Sequence, residues 1–186
     1  MTRLKRMIRN LLIMAVLLFL VMKVNGLYVS PINALYASER DLHYGPSQIV
    51  HSIDYGKGRY FLGRYENFIA CSFIDRSLGI FWRYGAGSGV ENEKERALFT
   101  SYRSNEEGDW MVFGIRNDPS IAKVEIEVQN ENGEMQIHSS GTFYEDMFYI
   151  MWKGGNDEDV LFSKIFKGIK AYDDKGTVVY DSEYLI

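Results

Sequence analysis

From Leu11 to Met22 the chain holds twelve apolar residues without a break, and Arg3, Lys5, Arg6 and Arg9 stand before them with no acid among them. That order holds the N-terminus in the cytoplasm and sends whatever follows outward. Residues 1–10 therefore read as a cytoplasmic basic tail too short to fold. The 160 residues after Gly26 read as the working part, outside the cytoplasm. The expected location is the cell membrane, crossed once, with the C-terminal domain outside.

Two fates for the apolar run stay open. Twelve residues make about 18 Å of helix against a hydrocarbon layer of about 30 Å, which suits a cleaved signal peptide. Met7 and Ile8 on one side and Val24 to Val29 on the other lengthen the run, however, and give an anchor over 11–29. Lys23 can snorkel from near the outer interface, and Tyr28 suits the headgroup level. "VNG" (Val24–Gly26) is a weak cleavage site, and "LYA" (Leu35–Ala37) lies too far downstream. The extended run and the weak cleavage site favour the anchor.

Charge narrows the partners. All 25 acidic residues follow Gly26, against 16 basic ones, so the exported part has a net charge of −9 where the whole chain has −4. Such a domain is repelled by nucleic acid and by anionic membrane or wall polymers. The single cysteine, Cys71, excludes an internal disulfide, so the domain must hold together by its core. At about 150 residues a domain buries roughly two thirds of its unfolded surface, which is sufficient. The 27 aromatic residues agree with a folded domain.

Ser30 followed by Pro31 is a helix-start signal, and Ile32, Leu35 and Tyr36 share a face, so a short juxtamembrane helix is expected over 30–44. The rest, 45–186, reads as strands. "QIVHSIDY", "RYFLGRYE", "FIACSFI" and "LGIFWRYG" are short aromatic and β-branched runs separated by turn residues. "AGSGVENEKE" (Ala86–Glu95) reads as a loop, and "RALFTSYR" and "DWMVFGIR" as strands after it. "AKVEIEVQN" alternates with Val124, Ile126 and Val128 inward, and Asn132-Gly133 turns it into "EMQIHSS". "MFYIMW" (Met147–Trp152) is apolar on both faces, as a covered central strand should be. A last hairpin turns at Asp173–Gly176, and only "DVLFSKIF" (Asp159–Phe166) has a helical look. Ten or eleven strands at this spacing predict an all-β antiparallel sandwich or barrel-like sheet, with a seam near 104–108 that would divide it in two.

Chemistry-bearing patterns are sparse. Cys71 lies among apolar residues, where a thiolate is disfavoured, although His51 twenty residues upstream could neighbour it across strands. His43, His51 and His138 have no metal-ligand spacing. Asn156, Asp157, Glu158 and Asp159 follow two glycines and form the one calcium-like loop, but without the spacing of an EF-hand. No nucleotide-binding or serine-nucleophile motif is present in the sequence, and no cofactor is expected. Trp82, Trp110 and Trp152 are the best candidates for a partner or ligand face, since such rings combine apolar area with a polar tip.

At "SPINALYASERDLHYGPS", "LGIFWRYGAG" and "GIKAYDDKGTVVYDS" the chain resembles small, mostly uncharacterised membrane-attached exported proteins of Gram-positive, spore-former-type bacteria. The resemblance implies a hydrophobic N-terminal segment with a β-rich outer domain, a bacterial cell-surface role without catalysis, and no site residue. Together these readings point to a non-enzymatic interaction module of the cell envelope, bound to another envelope or membrane protein. A wall- or carbohydrate-binding module using the tryptophans is the first alternative. A hydrolase built on convergent carboxylates is the second.

Overall fold

The computed structural model describes residues 3–104, 108–130, 132–153 and 162–183, with Ala86 described by its backbone alone. Helix α1 starts inside the basic segment and runs through Arg3–Val24. Its 22 residues rise about 33 Å, none of them is buried, and it is long and apolar enough to cross a membrane. The extra length comes from the basic side. On the other side the helix stops five residues short of the expected Val29. Gly26 takes φ +61°, which lets the N–H of Leu27 reach the carbonyl of Met22 at 2.8 Å and its own N–H reach Lys23 at 3.2 Å. This pair of bonds closes a helix through a left-handed residue, and the Asn25 side chain adds a third bond to the carbonyl of Val21.

The chain then enters the folded domain at once. Tyr28 donates to and accepts from the backbone of Trp82 at 2.8 and 2.7 Å. Helix α2 follows over Pro31–Asp41, with Ser30 extended at the N-cap position and Pro31 first in the helix. Its buried Ala34, Leu35, Ala37 and Ser38 form the face turned to the sheet.

Eleven strands are present among the described residues: β1 Gln48–Tyr55, β2 Gly58–Tyr65, β3 Phe68–Ser77, β4 Phe81–Glu91, β5 Leu98–Ser104, β6 Trp110–Arg116, β7 Lys123–Gln129, β8 Met135–Ser140, β9 Met147–Trp152, β10 Phe166–Tyr172 and β11 Val178–Ser182. A four-residue helix, α3, covers Phe162–Ile165. The strands form three sheets in the orders β1-β2-β3-β4, β5-β6-β9 and β11-β10-β7-β8, and every pairing is antiparallel. The all-β sandwich holds, and it is built of stacked layers.

Side-chain alternation sets the stacking. Met111, Phe113 and Ile115 of β6 join Tyr60, Leu62, Ile69 and Cys71 of the first sheet in one core. Val112 of β6, with Phe148 and Ile150 of β9, joins Val124, Ile126, Val128, Ile169 and Ala171 of the third sheet in another. The β5-β6-β9 sheet is therefore covered on both sides, which is why Met147–Trp152 is apolar throughout. A smaller cluster of Ala34, Leu35, Phe61 and Ile74 fastens α2 to the far face of the first sheet. Each such large side chain contributes about 1.5–3 kcal/mol by leaving water.

Two expectations fail. The Gly-rich stretch from Ala86 is not a loop, since β4 continues through it to Glu91. Gly87 and Gly89 oppose Ser72 and Ala70. A Cβ on either would come within 4 Å of Leu42 or Tyr44, so glycine here makes room for the chain leaving α2. The second concerns the seam near 104–108. β5 and β6 pair along their length from Leu98↔Arg116 to Ser104↔Trp110, so the described residues on either side of the seam belong to one sheet, and residues 105–107 lie outside the described residues. The first sheet instead ends at Glu91.

Candidate functional site

The tryptophans do not share a surface. Trp110 and Trp152 are register partners, and Trp152 is buried in the core between the second and third sheets, with Trp110 and Phe162 against it. Trp82 lies on the first sheet beside α2, beneath the guanidinium of Arg76 at 5.1 Å. Asn156, Asp157, Glu158 and Asp159 lie outside the described residues.

Cys71 and His51 fall in one row across the first sheet, each opposite Leu62, but the two do not meet. The His51 ring stacks on Tyr144 with centroids 3.6 Å apart. Cys71 is fully buried with its Sγ 3.4 Å from the sulfur of Met111. Burial pushes its thiol up to about 11, against the opposing pull of Arg103, so it is no nucleophile at neutral pH. His43 is exposed, and His138 stacks on Trp152. Among the described residues no group of three or more metal-ligating side chains forms.

What the fold does assemble is a polar cleft at the mouth between the first and second sheets. β2 supplies Arg64, the β2–β3 turn Glu66 and Asn67, the β4–β5 connection Asn92 and Lys94, and the end of β6 Arg116 with Asn117, while Asp146 comes from the turn before β9. The volume is about 340 Å³. Trp82, which pairs with Tyr28 just after the chain leaves α1, stands nine residues along β4 from Glu91, so the cleft lies roughly 30 Å from that junction along the strands.

Its floor is rigid. The amides of Asn92 and Asn117 exchange bonds of 3.0 and 3.1 Å, and Asn117 donates again to the carbonyl of Arg96 at 2.9 Å. The Asn92 N–H donates to the carbonyl of Asn67 at 2.7 Å. Arg116 is committed to the frame: its Nε donates to Asp146 Oδ1 at 3.0 Å, its Nη1 donates to the carbonyl of Ile121 at 2.6 Å, and its guanidinium lies 4.2 Å from the Phe143 ring.

Arg64 is different. Its Nε and Nη2 are buried and make no hydrogen bond. Buried guanidinium donors are expensive to leave unmade. These two lie on one edge of the guanidinium and form the fork that fits the two oxygens of a carboxylate or phosphate. Three cations and two acids line the cleft, so it is locally positive in a domain that is strongly negative.

Sequence reading missed this site, because its donors come from four separate connections. One signal was available: Arg64 has the same strand parity as Tyr60 and Leu62, so a guanidinium occupies a position that points between the sheets. Comparison with the models of known families, with curated proteins and with solved structures gives no match to this chain.

Proposed function

We propose that this chain is a membrane-anchored, extracytoplasmic binding module that engages another protein of the envelope through the cleft around Arg64. Helix α1 holds it in the membrane with the basic tail in the cytoplasm, and the β domain works on the other side. The observation that carries the reading is that Arg64, whose Nε and Nη2 make no hydrogen bond, lines a cleft whose other arginine is already bonded. A carboxylate side chain from a partner segment completes the Nε–Nη2 edge with two charge-assisted bonds once the Arg64 side chain turns that edge into the cleft. The wall-binding alternative loses support, because Trp110 and Trp152 are occupied in packing.

The test is a photo-reactive residue at Lys94, an exposed position in the cleft, in the full chain in native membranes. A discrete cross-linked product is expected with wild-type Arg64, weakened in Arg64→Lys, which keeps the charge but not the fork, and lost in Arg64→Leu. A product of equal yield in all three would overturn the assignment of the cleft, as would no product above the unirradiated control.

A further inference from the structure

A second cleft, of about 520 Å³, lies between the last turn of α1 and the outer side of α2, lined by Lys23, Tyr28, Asn33, Tyr36, Arg40 and Tyr44. We infer that it holds the headgroup of an anionic phospholipid from the leaflet on the β-domain side, an inference that rests on α1 spanning the membrane.

Position is the first argument. Lys23 belongs to the final turn of α1, and the helix closes immediately after it at Gly26. The two-way backbone pairing of Tyr28 with Trp82 fastens the next residues to the sheet. The cleft thus begins within about one helical turn, roughly 5 Å, of where the apolar span ends, which puts its Lys23 end near headgroup depth.

Chemistry is the second. Lys23 and Arg40 are both exposed and form no ion pair among the described residues. The nearby acids of α2 are engaged elsewhere: Glu39 Oε2 accepts the N–H of Ser47 at 3.0 Å, and Asp41 Oδ2 accepts the Tyr84 hydroxyl at 2.6 Å. Two cations without a carboxylate partner among the described residues, Lys23 lying 6.0 Å from the Phe19 ring, therefore line one cavity with three tyrosines, whose rings suit the zone where one end is apolar and the other wet. Val24, Val29 and Ile32 stand exposed alongside at 85%, 70% and 42%, which fits contact with the glycerol and upper acyl region.

The net charge of the domain argues against broad adhesion to an anionic surface. A headgroup held directly between Lys23 and Arg40 feels those two charges first, because Glu39 and Asp41 are turned to Ser47 and Tyr84 and the remaining acids are screened beyond a Debye length of about 8 Å at physiological salt. The acidic domain and the cationic cleft are therefore compatible, and the second selects lipid one molecule at a time.

The experiment uses the full chain in neutral detergent, titrated with phosphatidylglycerol or phosphatidylcholine and read by native mass spectrometry. Two basic side chains facing an anionic headgroup correspond to roughly a tenfold or greater preference for phosphatidylglycerol. The double variant Lys23→Gln with Arg40→Gln, both positions exposed, should fall to the phosphatidylcholine level, while Lys153→Gln retains the preference. Equal retention of the two lipids by the wild type overturns the inference, and so does an undiminished preference in the double variant. Displacement of phosphatidylglycerol by millimolar inorganic phosphate would also overturn it, making this a site for free anions. Release of the wild-type chain from membranes by alkaline carbonate is a separate outcome, which removes the anchor itself.

Discussion

The first and third sheets are both outer layers of one stack, and they are finished in opposite ways. The third presents charge to water, with Lys170 Nζ 3.0 Å from Glu127 Oε1 and Lys123 paired to Glu125. The first is roofed by α2, so its outer face carries Phe61, Ala70 and Ile74 with glycines between the strands and the roof. Polar groups beneath the roof must be satisfied within the protein. Glu39, 3% exposed, is an instance: it is a helix carboxylate turned inward to accept a backbone N–H. Water tolerates imprecise placement on the third sheet, whereas the roofed face makes one residue depend on another. Single changes should therefore cost most under α2 and least on the wet face.

The largest effect is expected at Gly45, which closes the loop after α2. Its φ is +89°, and a Cβ there would stand 2.6 Å from Glu39 Oε2 and 3.0 Å from the Ser47 nitrogen. Gly45→Ala combines a left-handed backbone with a clash against a carboxylate that is itself tied down, for a loss of roughly 2–4 kcal/mol. Denaturant unfolding of the full chain in detergent measures it, and a loss under about 1 kcal/mol would mean that the roof is loose. Next comes Glu39→Ala, which strands the Ser47 N–H and should cost about 1–3 kcal/mol. Glu39→Gln keeps an acceptor oxygen and should cost clearly less. Equal losses in the two variants would show that the charge matters rather than the bond.

The same contrast explains what could be read from the chain. Lys123–Gln129 alternates because water lies on one side of it and core on the other, and its burial follows that rhythm residue by residue. β1 falls on "QIVHSIDY" and β9 on "MFYIMW" because apolar and β-branched runs between turn residues leave few other choices. The second half of β4 reads as a loop because its glycines answer to Leu42 and Tyr44, which are distant in sequence and adjacent only in space. The end of α1 was legible in Asn25-Gly26, but hydrophobicity alone favours running on to Val29. The two clefts were hidden for a related reason. Arg64 and Arg40 look like ordinary surface cations until the fold shows that neither has a carboxylate partner among the described residues.

The inner faces of the two outer sheets are alike, and pH should affect both in the same sense. His51 of the first sheet stacks on Tyr144 and Tyr149, and His138 of the third stacks on Trp152. Burial holds both imidazoles below their ordinary value. The unfolded chain then takes up protons before the native one does, so stability is complete above about pH 6.5 and falls as pH drops through the lowered native values. The melting midpoint should decline between pH 7 and pH 5, and the double variant His51→Gln with His138→Gln should flatten that slope. If the slope is unchanged, the acid sensitivity belongs to other groups.

The smallest effect is expected where the ion pairs are most visible. Lys170 donates to Glu127 across the third sheet, and that partner raises its pKa. The lysine is already charged at neutral pH with or without the raise, so the shift adds nothing there. Both side chains are about one third exposed, at 34% and 33%, so water competes for each and salt screens the attraction. Removing Lys170 leaves Glu127 free to rehydrate, which a carboxylate under α2 cannot do. Lys170→Ala should therefore move the melting midpoint by less than the spread of replicate measurements, and added salt should not change that result. A loss as large as that of Glu39→Ala would erase the distinction between the wet sheet and the roofed one.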